Sequence, residues 1–94
     1  MHTRITESQR IRSLSFFVYL LISEDRARSY VGWTLDLDAR LRQHNCGKGA
    51  RSTRGRVWVL AYAERHPSRS SAMSREWHLK RERKLRKAIL GSAR

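Results

Sequence analysis

Apolar residues in this chain gather into three short runs and two spaced series. Residues 14–22 are dense in β-branched and aromatic side chains (Phe16, Phe17, Val18, Tyr19), which suits a buried strand better than a short helix. A charged connector, residues 24–28, leads to Ser29-Tyr30-Val31-Gly32-Trp33-Thr34, close enough to be the hairpin partner of the first run. Residues 57–63 form the third run and the third strand. Between the second and third runs, Leu35, Leu37, Leu41 and His44 fall on a 3.6-residue period. Thr34 or Asp36 can cap that helix, Asp36 and Asp38 suit its dipole, and Asn45-Cys46-Gly47 ends it with Gly47 at C′. Pro67 with Ser68 and Ser70 opens a longer helix through Ala72, Met73, Glu76, Trp77 and Lys80. It breaks near Arg83 and resumes through Leu85, Ile89 and Leu90. The order β-β-α-β-α-α predicts one α+β domain over residues 14–94, a three-stranded antiparallel sheet flanked by helices. Residues 1–13, with only Ile5 and Ile11 as anchors, read as a flexible N-terminal extension.

The length of 94 residues limits the chain to one small domain, and 39% hydrophobic residues are enough for it to fold. No apolar run approaches the ~18–20 residues of a membrane span, and no small-residue cleavage site follows residues 14–22. A cytoplasmic protein with no membrane partner is expected. One cysteine, Cys46, excludes an internal disulfide and a cysteine-based zinc site.

Charge changes this picture most. Lys and Arg number 21 against 8 Asp and Glu, a formal net charge of +13, so a polyanion is the expected partner. The excess is local. Residues 40–56 hold six cations (Arg40, Arg42, Lys48, Arg51, Arg54, Arg56) and no acid, and residues 75–94 hold eight against Glu76 and Glu82. An ordinary solvated face would mix in more acids.

The candidates for chemistry are few. Tyr19 and Tyr30 lie on adjacent strands, and Arg40 and His44, four apart, share a helix face. Gly32 inside its strand marks a place where something approaches the backbone closely. Glu76 stands among cations: it is either half of an i,i+4 ion pair with Lys80 or a carboxylate ligand for Mg²⁺, which is often held by one carboxylate plus phosphate and water.

The set Phe17-Val18-Tyr19, Tyr30-Val31-Gly32, Arg40 on the next helix and a glutamate on a later one resembles the GIY-YIG nuclease superfamily. Residues 30–45, with Gly47-Lys48-Gly49-Ala50-Arg51, Thr53-Arg54 and Arg75-Glu76, are similar to its small single-domain bacterial branch, related to the nuclease domain of structure-specific endonucleases. The first motif reads Phe-Val-Tyr in place of Gly-Ile-Tyr, and a late polar residue frequent in the family has no counterpart.

The resemblance implies a metal-dependent endonuclease that hydrolyses phosphodiester bonds in single-stranded or branched DNA with Mg²⁺ or Mn²⁺. Tyr19, Tyr30, Arg40, His44 and Glu76 would be catalytic, with Glu76 the metal ligand. Arg40 would neutralise the phosphate, one tyrosine would orient and deprotonate water, and His44 could relay that proton. Gly32 would let the substrate backbone come close. Arg42, Lys48, Arg51, Arg54, Arg56 and Lys80 would grip phosphates without reading bases. A protein partner could set substrate choice, and repair, recombination, restriction and mobile-element maintenance are all compatible settings.

Each residue keeps a plainer alternative. Tyr19 could pack in the core, Arg40 could pair with Asp36, and His44 could favour its helix C-terminus. Trp33, Trp58 and Trp77 suit the core or a sheet face better than base-stacking platforms. The whole chain could be a nucleic-acid-binding module of the same fold without turnover, or a basic ribosome-associated protein.

Overall fold

The computed structural model describes residues 15–92; the expected extension at residues 1–13 lies outside them, as does Leu14. Three strands, β1 (Phe16–Ser23), β2 (Ser29–Thr34) and β3 (Trp58–His66), form one antiparallel sheet in the order β2-β1-β3. Helix α1 (Leu37–Asn45) joins β2 to β3 by way of a 3₁₀ turn at Arg51–Thr53, and α2 (Arg69–Arg81) and α3 (Arg83–Ser92) follow. The α+β architecture expected from the pattern is the one observed.

β1 is central and covered on both faces, which explains its continuous apolar run where a half-exposed strand would alternate. On one face Val18 and Leu20 join Val31, Ala72 and Leu79, with Phe16, Trp33, Tyr62, Leu85, Ile89 and Leu90 around them. That face carries α2 and α3. On the other, Tyr19, Leu21 and Trp58 pack with Tyr30, Leu37, Leu41 and Ala63 beneath α1.

Local signals set the helix ends. Asp36 accepts a hydrogen bond from the Ala39 amide (3.1 Å) and caps α1, while Thr34 Oγ1 accepts from the Asp36 amide. Cys46 is the C-cap and Gly47, at φ 80°, follows it in the left-handed region that glycine favours. Ser68 caps α2 through the Ser71 amide (3.1 Å), and Glu82 separates α2 from α3. The break expected near Arg83 therefore falls one residue earlier.

The third strand differs from the reading of the apolar run at residues 57–63. It begins at Trp58 and continues through Glu64, Arg65 and His66, because β1 pairs with it from Ser23↔Trp58 to Phe16↔His66, with one register shift at Ala61. A polar strand end is stable here since Arg75 Nε donates to Glu64 Oε1 (2.6 Å) and the Tyr62 hydroxyl to Glu64 Oε2 (2.7 Å). Trp77 also departs from the expectation of a core or sheet-face residue. It is 51% exposed, with the Arg81 guanidinium 3.9 Å from its ring centroid, whereas Trp58 is buried.

Candidate functional site

Tyr19 projects from the middle of β1 beneath α1, and the next helix supplies its partner. The Tyr19 hydroxyl lies 2.9 Å from His44 Nε2, and His44 Nδ1 lies 2.8 Å from Thr53 Oγ1. Thr53 Oγ1 in turn donates to the Ala50 carbonyl (2.8 Å). These three side chains are 2%, 1% and 0% exposed. The hydrogen bonds settle the proton positions. A carbonyl can only accept, so the single Thr53 hydroxyl proton goes to Ala50 and Thr53 Oγ1 must accept from His44 Nδ1–H. Nε2 is then bare and accepts from the Tyr19 phenol. Burial, helped by the nearby Arg40 charge, lowers the His44 pKa and keeps the ring neutral, as this chain requires.

Tyr19 is held as a phenol. Burial pushes its pKa up to about 12, against the opposing pull of the Arg40 guanidinium. Arg40 donates to Gln43 Oε1 (2.8 Å), so its side chain is anchored along α1 and does not make the pair with Asp36. Burial works against the Arg40 charge, but the neighbouring phenol oxygens of Tyr19 and Tyr30 outweigh it and raise its pKa. Tyr30, opposite Leu21 on β2, stacks near His44 with ring centroids 4.8 Å apart, and its ring is 6.3 Å from that of Tyr19. Unlike Tyr19 it reaches the surface. It borders an open depression of about 280 Å³ together with Ser29, Val31, Ser52, Lys80 and Arg86.

Glu76 approaches from α2 on the opposite side of the sheet, near enough for its charge to act on Tyr19. Its Oε1 meets Lys80 Nζ at 3.2 Å, so the i,i+4 pair does form. Tyr19, Tyr30, Arg40 and His44 thus lie together, with Glu76 within electrostatic reach of Tyr19. The predicted phosphate grips divide. Arg42, Lys48, Arg51 and Arg54 are exposed, and Lys80 borders the depression beside Tyr30. Arg54 and Arg56 turn away to the β1–β2 connection, where Arg56 pairs with Asp25 (3.2 Å).

Three residues extend the reading of the sequence. Thr53 completes the Tyr19–His44 chain, and a Thr inside a basic, glycine-punctuated loop gave no helical or strand signal to single it out. Gly49 seats against His44: a Cβ there would lie 2.8 Å from the His44 Cα and closer still to Nδ1. Gly32 has a different purpose from the one expected. A Cβ at Gly32 would stand 2.5 Å from the Tyr19 hydroxyl oxygen and 2.7 Å from Cζ, so Tyr19 itself approaches this backbone closely.

Among the described residues no cluster of three or more His, Cys, Asp or Glu side chains could enclose a metal. The donor set suits a more open kind of site. Glu76 is one carboxylate with a side chain 21% exposed, and its cationic partner Lys80 is 47% exposed and free to swing aside. Mg²⁺ commonly takes one or two carboxylates and completes its shell with water and phosphate oxygens, so Glu76 fits such an ion. No helix among the described residues is long and apolar enough to cross a membrane.

Comparison with known proteins places this geometry in a lineage. Residues 15–88 match the model of the GIY-YIG catalytic domain. The UPF0213 protein of Streptococcus sanguinis is 48% identical over 61 residues, covering 64% of this chain and 69% of its own. That of Haloquadratum walsbyi is 41% identical over 80 residues, covering 81% and 89%. The solution NMR structure of the UPF0213 protein BH0048 from Bacillus halodurans superposes with a TM-score of 0.51 at 36% identity, covering 84% of each chain. With the catalytic-domain model matched over residues 15–88, these relatives and a β2-β1-β3 sheet, this chain belongs to the GIY-YIG family, among its small UPF0213 members.

Proposed function

We propose that this protein is a metal-dependent endonuclease that hydrolyses phosphodiester bonds in single-stranded or branched DNA. The observation that carries the reading is the buried Tyr19–His44–Thr53 chain, set between Arg40 and Glu76 in a strongly basic protein. A purely structural domain gains little from replacing apolar core with a fully satisfied polar chain, whereas proton transfer needs one.

Glu76 would hold Mg²⁺ or Mn²⁺, which supplies charge stabilisation at the phosphate and its leaving oxygen. Arg40, anchored on Gln43, offers its remaining guanidinium donors to the non-bridging phosphate oxygens, and its planar fork matches them better than a lysine. Tyr30, at the rim of the depression, orients the attacking water. Tyr19, a phenol whose proton already points at a bare imidazole nitrogen, is the group through which a proton can pass to His44 Nε2. His44 can accept it because Thr53 holds the Nδ1 proton in place. Lys80, displaced from Glu76, and the loop cations Arg42, Lys48 and Arg51 hold the flanking backbone.

A second reading, a nucleic-acid-binding module without turnover, is favoured by the Glu76–Lys80 pair, which leaves the carboxylate neutralised from within. Labelled single-stranded, duplex and branched DNA incubated with Mg²⁺ or Mn²⁺ separates the two. The nuclease reading predicts metal-dependent nicking that Glu76→Gln slows about 10²–10³-fold with DNA affinity retained. Binding without cutting by the intact protein, across both metals, would establish the second reading instead.

A further inference from the structure

Beyond the depression at Tyr30 the surface continues into a second hollow, and its lining is unlike the rest of the molecule. The hollow, about 210 Å³, lies between the β1–β2 connection and α3, and shares Ser29 and Arg86 with the depression at Tyr30. Five cations line it: Arg26, Arg28, Arg83, Arg86 and Lys87. No acid does, and among the described residues no carboxylate pairs with any of them. Among the described residues Arg56, Arg75 and Lys80 have acidic partners, so what sets the hollow apart is the number of unpaired cations gathered in one lining.

Two features show that this concentration of charge is built into the fold. Arg86 Nη1 donates to the carbonyls of Leu79 and Lys80 (2.6 Å each), so the end of α2 holds the guanidinium at the junction of the two hollows. Its remaining donors are free to face a ligand. Arg26 sits at φ 61°, a left-handed conformation that glycine or asparagine adopts more cheaply. An arginine there raises the local positive charge at some cost in backbone energy.

We propose that this hollow is a second strand-binding site, which takes the sugar-phosphate backbone of the nucleic acid on one side of the reacting phosphate. The inference rests on the nucleic-acid reading above, but not on turnover. Its continuity with the Tyr30 depression favours a nucleic-acid strand over an anionic membrane, which would need a convex basic face instead of a trough. Arg28 immediately precedes β2, two residues before Tyr30. The loop cations Arg42, Lys48 and Arg51 would serve the other side.

The test is a metal-free binding measurement on single-stranded oligonucleotides across a salt series, with the full chain and its Arg26→Gln/Arg83→Gln/Lys87→Gln variant. Arg86 is left intact because it caps α2, and a denaturant titration checks that the variant is folded. Losing three phosphate contacts should lower the log–log salt slope by about 2 and weaken binding roughly 10–100-fold at 0.1 M salt. A Lys48→Gln/Arg51→Gln variant, combined with the triple, should show additive losses. An unchanged slope in the folded triple variant would overturn the proposal, as would tighter binding to phosphatidylserine vesicles that oligonucleotides fail to displace. A protein that binds through this trough without metal, yet fails to cut when Mg²⁺ or Mn²⁺ is then added, would sink the nuclease reading alone.

Discussion

Neighbouring residues of β1 lead opposite lives. Val18 and Leu20 face α2 and α3 and touch only apolar partners, while Tyr19, between them, faces α1 and ends in a hydrogen-bonded chain. Both faces are fully buried, so burial does not distinguish them. The difference is in what each face asks of its residues. On the apolar face volume and shape suffice, and many sequences could supply them. On the polar face every donor and acceptor must meet its partner, and Gly32, Gly49 and Thr53 are each dictated by one contact. On the proposed function, stability is concentrated on the first face and chemistry on the second.

The largest expected effect tests the apolar side. Leu79→Ala, at a fully buried position between α2 and the sheet, should cost about 2–5 kcal/mol in urea unfolding. A protein of this size has little to spare, so some of the chain should be unfolded at 37 °C. A loss under 1 kcal/mol would mean that the α2 face is not where the fold is held.

Next in size is a pH effect from the polar side. Tyr19 titrates at about 12 in the folded chain and near 10 in the unfolded one. Below pH 10 both states keep the proton and no difference arises. Between pH 10 and 12 the unfolded state releases it first, so stability falls as pH rises, by up to about 2–3 kcal/mol. Denaturant titrations at pH 9 and pH 11 should show a drop that Tyr19→Phe lacks. Equal drops in both proteins would place the Tyr19 hydroxyl in contact with water.

The smallest effect probes the end of the chain. Thr53→Val keeps the volume but strands the His44 Nδ1 proton in the interior, at a cost of about 1–3 kcal/mol. Nitrogen NMR should find Nδ1 protonated in the parent protein and a mixture of tautomers in the variant. A parent ring protonated at Nε2 would reverse the direction assigned to the Tyr19 bond.

The same contrast explains what the sequence made legible. The apolar face was readable because hydrophobic period and caps act locally: residues 16–22, Asp36, Gly47 and Ser68 announced their elements. The motif residues Tyr19, Tyr30, Arg40, His44 and Glu76 were readable by resemblance. Thr53 stood in the same resemblance without a role, since a single hydrogen bond across nine residues leaves no periodic trace. Gly32 drew notice for the right reason, close approach, but the neighbour was a residue thirteen positions earlier that only the β1–β2 register brings opposite. The extension of β3 into Glu64, Arg65 and His66 was hidden because long-range pairing and the Arg75 contact outweigh their low strand propensity. Trp77 was misplaced because α2 has only a weak apolar stripe, so its sequence does not reveal which side faces the sheet.

The central claim is that the buried phenol of Tyr19 serves a reaction and not only the core. Single-turnover cleavage of branched DNA by Tyr19→Phe, on a sample whose unfolding curve is recorded alongside, tests it most directly. The folded Tyr19→Phe protein should cut about 10²-fold or more slowly than its parent, in line with the usual contribution of a proton-transferring group. Cutting at the parental rate by the folded Tyr19→Phe protein would contradict it.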